Sequence, residues 1–220
     1  IIAKSDLYEK PGKNQHAFCT DIDNEGDVRV LCNIVPNYNW MNTMLHEFGH
    51  AVYDKYIDMQ LPFVLRNPAH TFTTEAVAMF FGRLASNSSF LVDMKLTDTA
   101  DARKVAEESF KVLRLEQLTF SRWAQVMYRF EKGMYENPDQ DLNQLWWDIV
   151  ERYQMMKKPE GRNMPDWATK IHVALYPCYY HNYLLGELLA SQFSEYITGT
   201  VVKGNTGEDM KAMGEFFKTK

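Results

Sequence analysis

His46-Glu47-Phe48-Gly49-His50 sets two imidazoles four residues apart, with a carboxylate next to the first. On a helix, residues four apart share a face, their Cβ atoms about 5–6 Å from each other. At that spacing both rings reach one metal ion, zinc above all, at about 2.0–2.1 Å. Glu47 then stands beside the ion, where it takes a proton from a water molecule. The pattern therefore demands a helix here and a second element that supplies a third ligand.

The flanking sequence provides the helix. Apolar residues recur at Trp40, Met44, Phe48, Ala51 and Val52 within residues 37–58, a spacing of three to four. Pro36 precedes this stretch and Asn37 is its N-cap. Gly49 in mid-helix costs about 1 kcal/mol against alanine, which points to close approach by another backbone or by a substrate.

Residues 17–34 read as two strands around a turn at Glu25-Gly26, the only convincing β segment. Such a hairpin either packs the metal helix or offers a free edge to an extended peptide. The rest reads as helical: residues 73–86, 98–115, 119–135, 142–156 and 179–198, a short turn or helix that starts at 163–166, and a last helix over 207–220.

The chain has 220 residues, 45% of them hydrophobic, enough for one large domain or two small ones. A net charge of −5 without a basic stripe argues against a nucleic-acid surface. No apolar run approaches the roughly 18–20 residues that span a bilayer. Three cysteines are too few for a disulfide scaffold. Cys19 and Cys32 flank the turn symmetrically and are expected face to face, as a bridge or, preferably, as two buried thiols. Ile1 and the abrupt last segment read as cut ends of a longer protein.

A catalytic zinc takes three protein ligands and keeps an open position. Glu75, in the first turn of the second expected helix, is the best third ligand, and His70 is its rival. Cleaving a peptide with a zinc-activated water builds an oxyanion, which neutral donors stabilise. His172, Tyr180 and Tyr183 have that chemistry.

The pairing of His46-Glu47-Phe48-Gly49-His50 with a helical Glu75 resembles the gluzincin peptidases. Two branches are similar: angiotensin-converting enzyme (peptidyl-dipeptidase A), and the thimet oligopeptidase and oligoendopeptidase F group. The likeness to the first extends to Leu61-Pro62, Leu65-Arg66 and Thr74-Glu75-Ala76, to His16-Ala17, to Lys170-Ile171-His172, and to Tyr180 with Tyr183. Tyr179-Tyr180 and Tyr183 also resemble the tyrosines of the second. The resemblance implies a mainly α, helical zincin catalytic domain over 1–220, with a short β-hairpin next to the active-site helix. It implies Zn2+ on His46, His50 and Glu75, with Glu47 activating water. His172, Tyr180 and Tyr183 would steady the tetrahedral intermediate. His16 and Ala17 would line the substrate backbone, and Lys170 would meet a substrate carboxylate.

The expected reaction is zinc-dependent hydrolysis of short peptides, peptidyl-dipeptidase-like. An endo-acting oligopeptidase and an inactive zinc-binding fragment are the other readings. The expected partners are short peptides and the missing N-terminal half of the same protein, not nucleic acid. The resemblance favours an extracellular or periplasmic setting, in which the sequon Asn87-Ser88-Ser89 would matter. One departure stands out. Gluzincins often carry a carboxylate four residues after the third ligand, to orient a zinc histidine. That position is Met79 here, and Asp54, four residues after His50, is the candidate substitute.

Overall fold

The computed structural model describes residues 1–201 and 207–219, with side chains described for 1–201 and 210–219. Lys220, expected to end the last helix, lies outside them. The backbone groups into two compact units: Ile1–Lys111 with Gly186–Lys220, and Val112–Leu185. The described residues are mainly helical, with one two-stranded sheet, as expected of a helical zincin with a short hairpin.

In the first unit, β1 (Phe18–Asp21) pairs antiparallel with β2 (Val28–Leu31). Val28, Val30 and Cys32 turn inward onto Ala51, Trp40 and Phe48 of helix α1 (Tyr38–Lys55). The hairpin thus packs directly on the helix that carries the two histidines. The register pairs Cys19 with Val30 rather than with Cys32, and all three cysteines are free thiols. The face-to-face placement of Cys19 and Cys32 therefore does not occur, because Cys32 lies beyond the end of β2.

The outer edge of β2 is taken by the N-terminal segment. Asp6 N–H donates to Val30 O, and Cys32 N–H donates to Asp6 O, each at 2.9 Å. Lys13 fastens this segment from inside. Its side chain is only 3% exposed, and its ammonium donates to Asp6 O at 2.9 Å, Tyr8 O at 2.8 Å and Cys32 O. A buried ammonium holds its charge at tolerable cost only in such a ring of oxygens.

Helix α1 starts where the sequence says it should: Asn37 Oδ1 accepts from Trp40 N–H at 2.8 Å. Helix α2 (Thr71–Arg83) is capped by His70, whose Nδ1 accepts from Phe72 N–H at 3.2 Å. The cap explains why His70 sits there and occupies one ring nitrogen. The two helices meet at Gly49, where a Cβ would lie 2.6 Å from Ala78 Cα and 3.1 Å from Ala78 N. The approach anticipated at Gly49 is thus that of the α2 backbone.

Next come the short α3 (Ser88–Asp93), capped by Asn87, and α4 (Thr99–Glu136). The expected pair of helices at 98–115 and 119–135 is one helix of 38 residues. Glu116, Gln117 and Leu118 favour helix, and neither glycine nor proline interrupts them. Helix α8 (Gly207–Thr219) stacks Phe217 against Phe80 and Phe81 of α2, with ring centroids at 5.2 and 5.3 Å.

In the second unit, the rest of α4 packs with α5 (Leu142–Gln154) and α6 (Ile171–Leu175) around Val126, Phe130, Trp146 and Val173. Trp146 meets Phe130 edge-on at 5.2 Å and Trp123 at 5.9 Å. Cys178 adopts the left-handed region, with φ of 56°, just before α7 (His181–Tyr196). The buried Glu131 carboxylate steadies this turn by accepting from Cys178 N–H and from Tyr135 O–H.

Two outcomes follow from this packing. Gly49→Ala gains about 1 kcal/mol of helix propensity. It also drives a methyl into the α2 backbone, an overpacking that costs about 1–3 kcal/mol or more. The second effect wins, so thermal denaturation should show a lower melting temperature for Gly49→Ala, and a higher one would refute the contact. For the thiols, burial pushes Cys19 well above the usual range and Cys32 up to about 11. At pH 8 about one part in a thousand of Cys32 is thiolate. Iodoacetamide at that pH should therefore label the exposed Cys178 first, as peptide mapping by mass spectrometry would show.

Candidate metal centre

Helix periodicity puts His46 and His50 on the face of α1 that meets α2, and their rings cross edge to face with centroids 4.9 Å apart. Glu75, in the second turn of α2, projects between them. Its Oε2 lies 3.5 Å from His46 Nε2 and 3.6 Å from His50 Nε2. One donor atom from each of the three residues falls within 4.8 Å of the others. Two donors bound to one tetrahedral zinc at about 2.0–2.1 Å would stand about 3.3–3.4 Å apart. The two measured gaps come close to that value, so the donor set fits such an ion in both chemistry and spacing. His70, the rival to Glu75, is exposed and spent as a helix cap.

Glu75 and His50 are held from behind. Glu75 has a side chain only 2% exposed. A Cβ at Gly186 of α7 would lie 2.9 Å from Glu75 Cβ and 3.2 Å from Met79 Sδ, so α7 presses against α2 directly beneath Glu75. The Arg83 guanidinium ties the same two helices by donating to the Glu187 carboxylate, to Glu187 O and to Ser191 Oγ. His50 Nδ1 meets Thr74 Oγ1 at 2.7 Å. The Asp54 carboxylate, expected to do this, instead lies 3.9 Å from the Cys19 thiol.

The electrostatics are those of a pocket short of positive charge. Burial, helped by the His50 charge, depresses His46 to about 4 and keeps it neutral, although Glu75 pulls the other way. Burial also presses on His50, but the hydrogen bond and charge of Glu75, together with Glu47 and Asp54, outweigh it and leave His50 raised. Glu47 is buried beside them, and burial lifts its carboxyl to about 7. Cys19 N–H on β1 donates to that carboxylate. Burial raises Asp54 as well. A divalent cation between the imidazoles would offset this crowd of buried acids.

The remaining expected residues fall in two places. His16 and Ala17 lead into β1, and Ala17 packs against the hairpin core. His172, Tyr180 and Tyr183 cluster in the second unit. His172 Nε2 lies 3.1 Å from Tyr183 Oη. The rings of Tyr180 and Tyr183 stand 5.0 Å apart, and that of His172 stands 5.0 Å from Tyr180. Trp123 Nε1–H donates to Tyr180 Oη at 2.6 Å. Burial raises the Tyr180 phenol, against the effect of that bond, so it keeps its proton. The Lys170 ammonium sits 5.3 Å from the centre of the Trp123 ring. His181 meets the Tyr128 ring edge-on, with centroids 6.4 Å apart. Sequence reasoning missed Thr74, Trp123 and Glu131. For Thr74 one signal was available, its position next to Glu75 on a helix that faces the histidines.

Comparison with known proteins agrees with this architecture. The family model for angiotensin-converting enzyme, peptidase family M2, matches residues 5–205. Angiotensin-converting enzyme of Mesocricetus auratus is 24% identical over 212 residues, covering 91% of this chain but 16% of that protein. The inactive angiotensin-converting enzyme-related protein of Caenorhabditis elegans is 26% identical over 135 residues, covering 58% of this chain and 15% of that protein. A crystal structure from Bacillus anthracis described as an oligoendopeptidase F superposes with a TM-score of 0.67 at 19% identity, covering 98% of this chain and 34% of the other. The chain thus spans under a fifth of the curated relatives it matches, and with most of its length matched by the family model it belongs to the angiotensin-converting enzyme family of peptidases.

Proposed function

We propose that this chain carries the zinc centre of a metallopeptidase that hydrolyses short peptides. The observation that carries the reading is the convergence of His46 Nε2 and His50 Nε2 on one Glu75 oxygen, at 3.5 and 3.6 Å. These three residues would hold the ion. When bound there, zinc supplies Lewis acidity, which polarises a carbonyl and lowers the pKa of a coordinated water to about 7.

The rest is the work of the chain's own groups. Glu47, next to His46 and buried, takes the proton of the attacking water and returns it to the leaving amine. The carboxylate is aimed by the Cys19 N–H. His172, Tyr180 and Tyr183 donate to the oxyanion of the tetrahedral intermediate, and the protonated Tyr180 phenol has the required donor. His16 and Ala17 line the peptide backbone at the start of β1. The N-terminal segment occupies the outer edge of β2, and among the described residues no strand pairs with the outer edge of β1. An extended peptide can add there through main-chain hydrogen bonds. Lys170 meets the substrate C-terminal carboxylate, which gives release of dipeptides.

Two other readings rest on specific relatives. A protein described as an oligoendopeptidase F shares the fold, which favours internal cleavage. A relative described as inactive favours a metal-binding chain without turnover.

Glu47→Gln should keep one zinc per chain by plasma mass spectrometry and lose about 10²–10⁴ in turnover of a fluorogenic peptide. Full activity in Glu47→Gln would remove the general-base role. Glu75→Ala should lose most of the bound zinc. Mass analysis of products from a free-acid peptide and its C-terminal amide separates the two modes. Dipeptides from the free acid alone indicate carboxylate recognition, whereas internal fragments from both indicate an endopeptidase.

A further inference from the structure

We infer that Thr74 is the positioning residue for the metal ligand His50, in the place where a carboxylate would be expected. The inference rests on the zinc reading of His46, His50 and Glu75. Thr74 is 8% exposed, and its Oγ1 stands 2.7 Å from His50 Nδ1. On the other side of the ring, Nε2 faces Glu75 at 3.6 Å. The ring is therefore fixed at Nδ1, with Nε2 turned towards the Glu75 carboxylate. With Nε2 given to an ion, Nδ1 would carry the proton and donate a hydrogen bond that Thr74 Oγ1 accepts. A hydroxyl has two lone pairs and a proton of its own, so it can accept from Nδ1–H and still donate elsewhere.

The two acidic alternatives are absent from this contact. Four residues after Glu75 stands Met79, packed towards Gly186. Asp54 is turned to the Cys19 thiol. A neutral acceptor suits the pocket physically. Glu47 and Glu75 are both already buried in it, 7% and 1% exposed. A carboxylate in the place of the Thr74 hydroxyl would bury one more negative charge there, whereas a hydroxyl fixes the ring and its tautomer without charge. Thr74 and Glu75 are successive residues of one helix, so a single element sets both a ligand and the orientation of its neighbour.

The test is zinc affinity of the full chain by competition with a chelator of known affinity, on wild type, Thr74→Ser and Thr74→Val. Thr74→Ser should match wild type. Thr74→Val, which keeps the shape and loses the acceptor, should bind zinc about 10–100-fold more weakly. In the zinc-loaded wild type and Thr74→Ser, proton NMR should show a slowly exchanging His50 Nδ1–H resonance that is lost in Thr74→Val. Equal affinity of Thr74→Val and wild type would overturn the inference while leaving the zinc reading intact. Absence of zinc binding by wild type would overturn the reading itself, and the inference with it. Should Thr74→Val fail to fold, the resonance in wild type decides alone, because rapid exchange of that proton with solvent would contradict a bond to Thr74.

Discussion

Everything in the candidate metal centre depends on how closely two helices approach. The histidines and Glu47 belong to α1, Glu75 and Thr74 to α2, and the separation of their backbones sets whether one ion can touch all three ligands. That separation is fixed where Gly49 meets the Ala78 backbone, a contact with no room for a single methyl group. Protein interiors yield little to such overlap. A structural requirement at Gly49 thus becomes a chemical one at His46, His50 and Glu75. Gly186 repeats the device from the far side, where α7 backs Glu75 at similarly short range.

Charge imposes the second constraint. Two buried acids, Glu47 and Glu75, and the half-buried Asp54 lie around two imidazoles, one depressed and one raised by its surroundings. Burying carboxylates so close together is unfavourable unless a cation or a proton is shared among them. The arrangement makes sense as a site whose charge balance is completed from outside the chain. It also explains why the group behind His50 is a hydroxyl.

Much of this was readable from residue order. The α1 stretch announced itself by its apolar spacing, its Asn37 cap and its two histidines, because helix periodicity acts over a few residues. Glu75 was accessible for the same reason, and so was the hairpin in front of α1. The pairing of Cys19 was misjudged because register depends on where β2 ends, not on symmetry about the turn. The junction expected inside α4 does not form, because helix propensity carries on through residues 116–118. The short α3 and α6 span too few turns to show a period. Thr74, Trp123 and Glu131 act on partners 24, 57 and 47 residues away, and no local pattern encodes such meetings.

Lys13 bears on how the small sheet behaves. By gathering main-chain oxygens of Asp6, Tyr8 and Cys32, it closes one flank of the hairpin with a lock built from this chain alone. The ladder can then lengthen in one direction only, on the side where Cys19 reaches towards Glu47. Under the proposed function, an incoming strand would have no second berth to slip into, so its register would be measured from a fixed wall and its bonds would pass Glu47 in a set order. Lys13 would thereby make the sheet a one-sided ruler.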